Sequence, residues 1–286
     1  MDGIIIVNKP KGLTSHDVVN IVKKTLNTKK VGHTGTLDPN ATGVLPILVG
    51  KATKISKYLI EHDKEYIAKI YLGEKRNTAD VEGNIVQKDE EVLIKLKSFT
   101  LEKIEQILNS FLGKQKQIPP IYSSIKINGK KAYEYARSGQ TIEMPERDIE
   151  IYSIEFIKLE ENILTFKVLC SKGTYIRTLC EDIANKMGTI GYMLDLTRTK
   201  LDRFNIENSI SIEDLKKHKE HIITIEEVFK EKERIVLDDR KTELFMNGVQ
   251  LTFAMENDIY RIYNNKQFIG LGVIKNDLLK RDVVLV

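Results

Sequence analysis

Tryptophan is absent from this 286-residue chain, and cysteine, histidine and proline are scarce, at two, five and six residues. Each shortage removes a class of protein. Cys170 and Cys180 match neither a paired zinc knuckle nor a redox CxxC, so a structural metal and a disulfide framework lose their support. In apolar surroundings such as FKVLC they read as small core residues. No apolar run approaches the ~20 residues of a membrane helix, which excludes a helical membrane protein. The opening MDGIIIVNKPKG has an acidic second residue and a short apolar stretch, without the regions of a secretory signal. A cytoplasmic protein is expected.

Familiar catalytic signatures are missing too. No GxGxxG, HExxH or GxSxG occurs, and the VGKAT of residues 49–53 fails as a phosphate-binding loop, because Leu45 and Ala52 stand where glycine and a hydroxyl residue are needed. No donors lie at metal-ligand spacing, so no metal is expected. Composition otherwise describes a folded protein, with 41% hydrophobic and 30% charged residues. Forty-five Lys and Arg against 41 Asp and Glu give a net +4, which permits nucleic-acid binding without requiring it.

Periodicity along the chain predicts an α+β protein. GIIIVNK reads as a buried strand, followed by a helix from the Thr14–Ser15 cap through Leu26, with Asp17 in its first turn. GVLPILVG is a second buried run, KATKISKYLIEHD a helix, KEYIAKIYLG an alternating strand, and LEKIEQILNSFLG an amphipathic helix closed by Gly113. A strand pair over 149–170, a helix ending at Gly188 and a strand from Tyr192 come next. The tail from Glu231 has short apolar runs and as many cations as anions, and reads as a small β domain. In KKHKEH, the two histidines read as solvated surface.

Two segments stand out. Residues 32–43, GHTGTLDPNATG, are too rich in Gly, Thr, Asp and Pro for helix or strand; their one carboxylate, Asp38, fits a turn former or a catalytic group, and His33 fits a structural residue or a ligand. Residues 111–147 hold seven cations against three anions, with Tyr122, Tyr133 and Tyr135 interleaved. That composition fits either RNA contact, with phosphates neutralised and bases stacked, or a solvated loop with core-facing tyrosines.

In combination, NKPKG, GHTGTLDPNATG, KEYIAKI, SSIKINGKKAYEYAR and SKGTYIRTL, in this order, resemble the TruB-type tRNA pseudouridine synthases. The resemblance runs through nearly the whole chain. It implies a pseudouridine synthase fold with a mixed, mostly antiparallel sheet over residues 1–230, carrying residues 111–147 as a thumb, and a small C-terminal PUA-like β domain over 231–286. It also implies conversion of uridine 55 in the T-loop of tRNA to pseudouridine. Asp38 matches the family's catalytic aspartate, Tyr66 a tyrosine that stacks on the flipped base and assists proton transfer at C5, and Arg177 the arginine that pairs with the aspartate. Tyr175 lies with it, His33 matches a histidine that fills space left by extruded bases, and Leu196 in DLTR an apolar residue near the target. Lys9 and Pro10 match a motif that supports the active-site loop. Lys126, Lys130, Lys131 and Arg137 are the expected phosphate contacts.

The implied chemistry explains these residue types without a cofactor. Isomerisation breaks the N1–C1′ bond, rotates the uracil and rejoins it through C5; an ionised Asp serves as nucleophile or base, and a neighbouring Arg orients it and stabilises its charge. Attack at C1′, attack at C6 and deprotonation at C2′ all need that carboxylate. A stacked uridine must also be flipped out. The expected partner is the tRNA T stem-loop, with no membrane, no obligate protein partner and a monomeric state. Two alternatives keep the fold: a noncatalytic tRNA-folding or RNA-binding protein, and a guide-RNA-dependent synthase.

Overall fold

The computed structural model describes residues 2–217 and 222–285. His218 and His221 of the KKHKEH segment lie outside the described residues. Nine strands form the principal sheet, whose main path runs Gly3–Lys9, Thr42–Val49, Gly191–Leu201, Lys64–Leu72, Ile163–Cys170, Arg147–Glu160 and Gly113–Gln117. Short strands Val31–His33 and Phe204–Asn205 pair off this path. Every pairing in this sheet is antiparallel except the short parallel contact of Thr42 and Gly43 with Thr197 and Arg198. The sheet is therefore mixed and mostly antiparallel, as the sequence predicts.

Strand Gly3–Lys9 is buried on both faces, which explains its unbroken apolar run. Ile5 and Val7 enter one core with Val18, Val19 and Val22 of helix Ser15–Thr25, Ile104 and Leu108 of helix Leu101–Asn109, and Leu179 and Ile183 of helix Ile176–Lys186. Ile4 and Ile6 face a second core with Val44, Leu48, Ile55 and Phe229. Helix Ser15–Thr25 starts as its sequence dictates: the Thr14 side chain accepts from the Asp17 N–H while Asp17 caps the Thr14 N–H in return. Cys170 and Cys180 are buried and free.

A second, five-stranded sheet follows the order Arg234–Leu237, Ile259–Asn264, Gln267–Lys275, Leu278–Val284, Leu251–Thr252. It has a core of its own around Ile235, Phe245, Ile262 and Leu279, and it also sends Leu271 and Val283 into the second core of the principal sheet. The structure corrects the sequence expectation at both ends of GHTGTLDPNATG, where Gly32–His33 and Thr42–Gly43 belong to strands paired in the principal sheet, and at one further segment. KATKISKYLIEHD forms a 3-10 turn, Gly50–Ile55, and a four-residue helix, Lys57–Ile60, in place of one continuous helix. Tertiary contacts override helical spacing at this point. Asp2 takes the Lys51 N–H, Lys51 and Lys54 donate to the carbonyls of Leu285 and Val284, and Lys57 and Tyr58 both hold Asp282.

Where Thr42–Val49 meets Gly191–Leu201, Gly43 has φ +103°, and a Cβ there would lie 2.2 Å from the Arg198 carbonyl oxygen. Gly12 has φ +87° but open space around it. Gly12→Ala should cost about 1 kcal/mol, the strain of a left-handed backbone alone, whereas Gly43→Ala should cost about 3 kcal/mol or more because the strands must also separate. Urea unfolding of the two variants checks the ordering.

Candidate active site

The loop of residues 34–41 is fixed at almost every residue. Buried Ser15 accepts from the Leu37 N–H at 2.9 Å and donates to the Leu37 carbonyl at 3.2 Å. Lys9, fully buried, donates to the carbonyls of Pro10 (3.0 Å), Leu13 (2.6 Å) and Pro39 (3.0 Å), so the NKP motif supports the loop with a cation and the exposed Pro10 contributes its carbonyl. The Gly12 N–H adds a bond to Pro39, and Asn40 donates to Glu82. The Asp38 side chain faces outward, 38% exposed at one wall of a cavity of about 1020 Å³.

Arg177, in the first turn of its helix and 9% exposed, reaches Asp38 through Nε at 3.2 Å. Its two other nitrogens are engaged as well. Nη1 lies 3.4 Å from Asp80 and from the Thr78 carbonyl, and Nη2 donates to the Tyr122 carbonyl at 2.9 Å. Two carboxylates therefore share one guanidinium, and Asp80 is itself held by the Thr78 hydroxyl and the Glu82 N–H. Buried Gln117 brackets the start of the same helix, accepting from the Tyr175 N–H at 2.8 Å and donating to its carbonyl at 3.1 Å.

Tyr66, Tyr175, Leu196 and Arg137 line the cavity with Asp38 and Arg177, so the structure brings six of the twelve sequence-predicted site residues together. His33 is not in that lining. It ends strand Val31–His33, and its Nδ1 accepts from the Gly35 N–H at 3.3 Å, which places it behind the loop. Burial and the Arg198 cation lower the His33 pKa and keep the ring neutral. Lys126, Lys130 and Lys131 lie on a two-stranded hairpin away from the lining. There the expected interleaving takes a definite form: Lys130 sits over the Tyr135 ring, and Lys131 and Arg137 both approach Tyr133.

The sequence reading missed Asp80, Gln117, Lys64, Arg147 and Arg198. Lys64, Arg147 and Arg198 line the cavity, and Arg198 is 1% exposed. It donates to the Val44 carbonyl (2.7 Å) and to the Gly35 carbonyl (3.3 Å). Tyr66 is driven up to about 12 by its burial, against the opposing pull of Arg198, and so stays a neutral phenol. Among the described residues no group of three or more His, Cys, Asp or Glu is placed to hold a metal.

A cavity lined by two carboxylates on one arginine and by a buried phenol is the arrangement, and comparison identifies its setting. A solved chain from a Cbf5-Nop10-Gar1 complex superposes with a TM-score of 0.70, at 27% identity, covering 99% of this chain and 83% of that one. The architecture is the pseudouridine synthase fold. The TruB family pseudouridylate synthase (N terminal domain) profile matches residues 23–176, and the tRNA pseudouridylate synthase B C-terminal domain matches 177–237. The tRNA pseudouridine synthase B of Clostridium tetani is 46% identical over 280 residues, 95% of each chain, and that of Caldanaerobacter subterraneus subsp. tengcongensis is 42% identical over 284 residues, 98% of each. The chain belongs to the TruB family of pseudouridylate synthases.

Burial lowers the Lys9 pKa from 10.5 to about 8, with Asp38 opposing and Arg198 reinforcing the shift. Folding thus depresses the value, and between pH 8 and 10.5 the unfolded chain holds the extra proton, so the contribution of Lys9 to stability rises with pH across that window. NMR titration of lysines labelled at the ε-carbon should show one midpoint near 8 that disappears in Lys9→Met.

Proposed function

We propose that this protein isomerises uridine 55 in the T-loop of tRNA to pseudouridine without a cofactor, with Asp38 as the catalytic carboxylate. The observation that carries the reading is the Asp38–Arg177 pair at 3.2 Å, exposed at the wall of a cavity that Tyr66 and Leu196 also line. All three routes open to the reaction begin from that carboxylate. Arg177 orients it, and Asp80 occupies the far side of the guanidinium, so that Arg177 keeps one rotamer. Tyr66 and Leu196 receive the flipped base; Tyr175 completes the wall beside Arg177. His33, neutral and behind the loop, fills space vacated when the base leaves its stack.

Lys126, Lys130, Lys131 and Arg137 belong to residues 111–147, the thumb, which closes on the T stem-loop through its phosphates. The cations of Lys130, Lys131 and Arg137 rest over tyrosines and so present fixed positions to the backbone of the RNA. Residues 231–286 act as a PUA-like RNA-binding unit attached to the catalytic domain of residues 1–230. The protein works as a cytoplasmic monomer on tRNA alone. Similarity of 42–46% to proteins named tRNA pseudouridine synthase B, against 27% to the chain from the Cbf5-Nop10-Gar1 complex, favours direct capture over a guide RNA.

Tritium release from an unmodified T stem-loop labelled at uridine C5, with no guide or partner protein, tests the activity. The wild-type protein should release it and Asp38→Asn should not; release by Asp38→Asn free of wild-type protein would refute the catalytic assignment. Neutralising Lys130 and Lys131 together should weaken stem-loop binding and reduce the slope of log K against log salt by about 1.5, as two phosphate contacts require. An unchanged slope removes both from the interface.

A further inference from the structure

Arg198 heads the fully buried side chains of the protein by volume, yet it belongs to no ion pair among the described residues. Burying a guanidinium without a carboxylate is costly, and the cost persists only where the cation has a task. Its surroundings show how it is held. Nε donates to Val44, at the start of one central strand, and Nη2 donates to Gly35, in the loop that carries Asp38. Tyr66 is the register partner of Arg198 on the neighbouring antiparallel strand, and both line the cavity, so the buried cation lies beside the phenol.

An arginine can only donate, so toward Arg198 the Tyr66 oxygen can only accept, which leaves the hydroxyl hydrogen for the cavity that Tyr66 lines. A phenol beside a buried cation is polarised and donates more strongly. The reaction presents something for such a donor to meet. When the N1–C1′ bond breaks, its electron pair leaves with the uracil, and negative charge spreads over the ring nitrogen and the two carbonyl oxygens; fixed dipoles aimed at developing charge lower the barrier to that step.

We propose that Arg198 is a positioning residue which, through the Tyr66 hydroxyl, stabilises the negative charge of the uracil as it detaches from the sugar. The proposal rests on the function proposed above. Asp38 and Arg177 act on the sugar side of the bond or on C6; Arg198 and Tyr66 act on the departing base. By holding Gly35 with the same guanidinium, Arg198 also fixes the distance between the two halves of the site.

The test is single-turnover loss of the target nucleoside from T stem-loops carrying either uridine or 5-fluorouridine, which can rejoin through C5 but has no C5 proton to release, with stem-loop affinity and thermal melting measured alongside. Fluorine at C5 makes the detached uracil a more stable anion, which needs less help. Arg198→Met should slow uridine about 100-fold, the low end of what a positioned polar group contributes, slow 5-fluorouridine at most about tenfold, and leave affinity within about threefold. In a Tyr66→Phe background, Arg198→Met should add little. Arg198→Lys keeps the charge and should recover part of the rate; if Arg198→Met does not fold, the same two-substrate comparison is made with Arg198→Lys. Equal slowing of both substrates, or a full additional loss in the Tyr66→Phe background, overturns the proposal. Failure of the wild-type protein to convert the uridine stem-loop overturns the underlying function instead.

Discussion

One guanidinium holds the site in shape. Arg177 contacts the Asp38 loop, the Thr78–Asp80 turn and the Tyr122 carbonyl, segments far apart in sequence. Such an arrangement is possible because the arginine fork offers several donors in fixed directions, which a lysine does not. It also joins the basic segment to the catalytic wall. Tyr122 lies inside residues 111–147, and Gln117 at the base of that segment grips the backbone of Tyr175 two residues before Arg177. A displacement of the segment is therefore felt at the carboxylate pair.

Around the 34–41 loop the protein concentrates buried positive charge. Lys9 supports it from below, Arg177 from the side and Arg198 from behind, while Asp38 and Asp80 neutralise only part of that charge. The different titration behaviour of Lys9 and Tyr66 follows from this crowding. Burial depresses the ammonium of Lys9 and raises the phenol of Tyr66, and in both Arg198 is a secondary influence of the sign its charge dictates.

Much of this was legible in the residues themselves. Apolar runs without polar interruption became strands buried on both faces, as Gly3–Lys9 shows, and the Thr14–Asp17 cap formed in full. Asp38 stood out because its loop could be neither helix nor strand. Asp80 did not, since it sits in an ordinary-looking turn and gains its meaning from Arg177, 97 residues away. Arg198 is hidden for a related reason: in the alternating strand TRTKL a cation reads as solvent-facing, and only the crossing with Thr42–Val49 buries it. Gln117 is a neutral residue among lysines, with nothing local to mark its side chain as the buried one. The helix expected over KATKISKYLIEHD broke because its lysines were claimed by the last strand.

The shared second core bears on how the chain is made. Ile4 and Ile6 are among the first residues synthesised, yet the cluster they enter is completed by Phe229, Leu271 and Val283. Until those residues emerge from the ribosome, one face of strands Gly3–Lys9 and Thr42–Val49 lacks part of its cover and is open to water and to other nascent chains. Pairing across such sequence distances is slow, and exposed strand faces are where aggregation begins. Assembly of this protein is thus gated by its final segment, so a truncation that leaves every residue of the catalytic cavity intact still deprives the principal sheet of its cover.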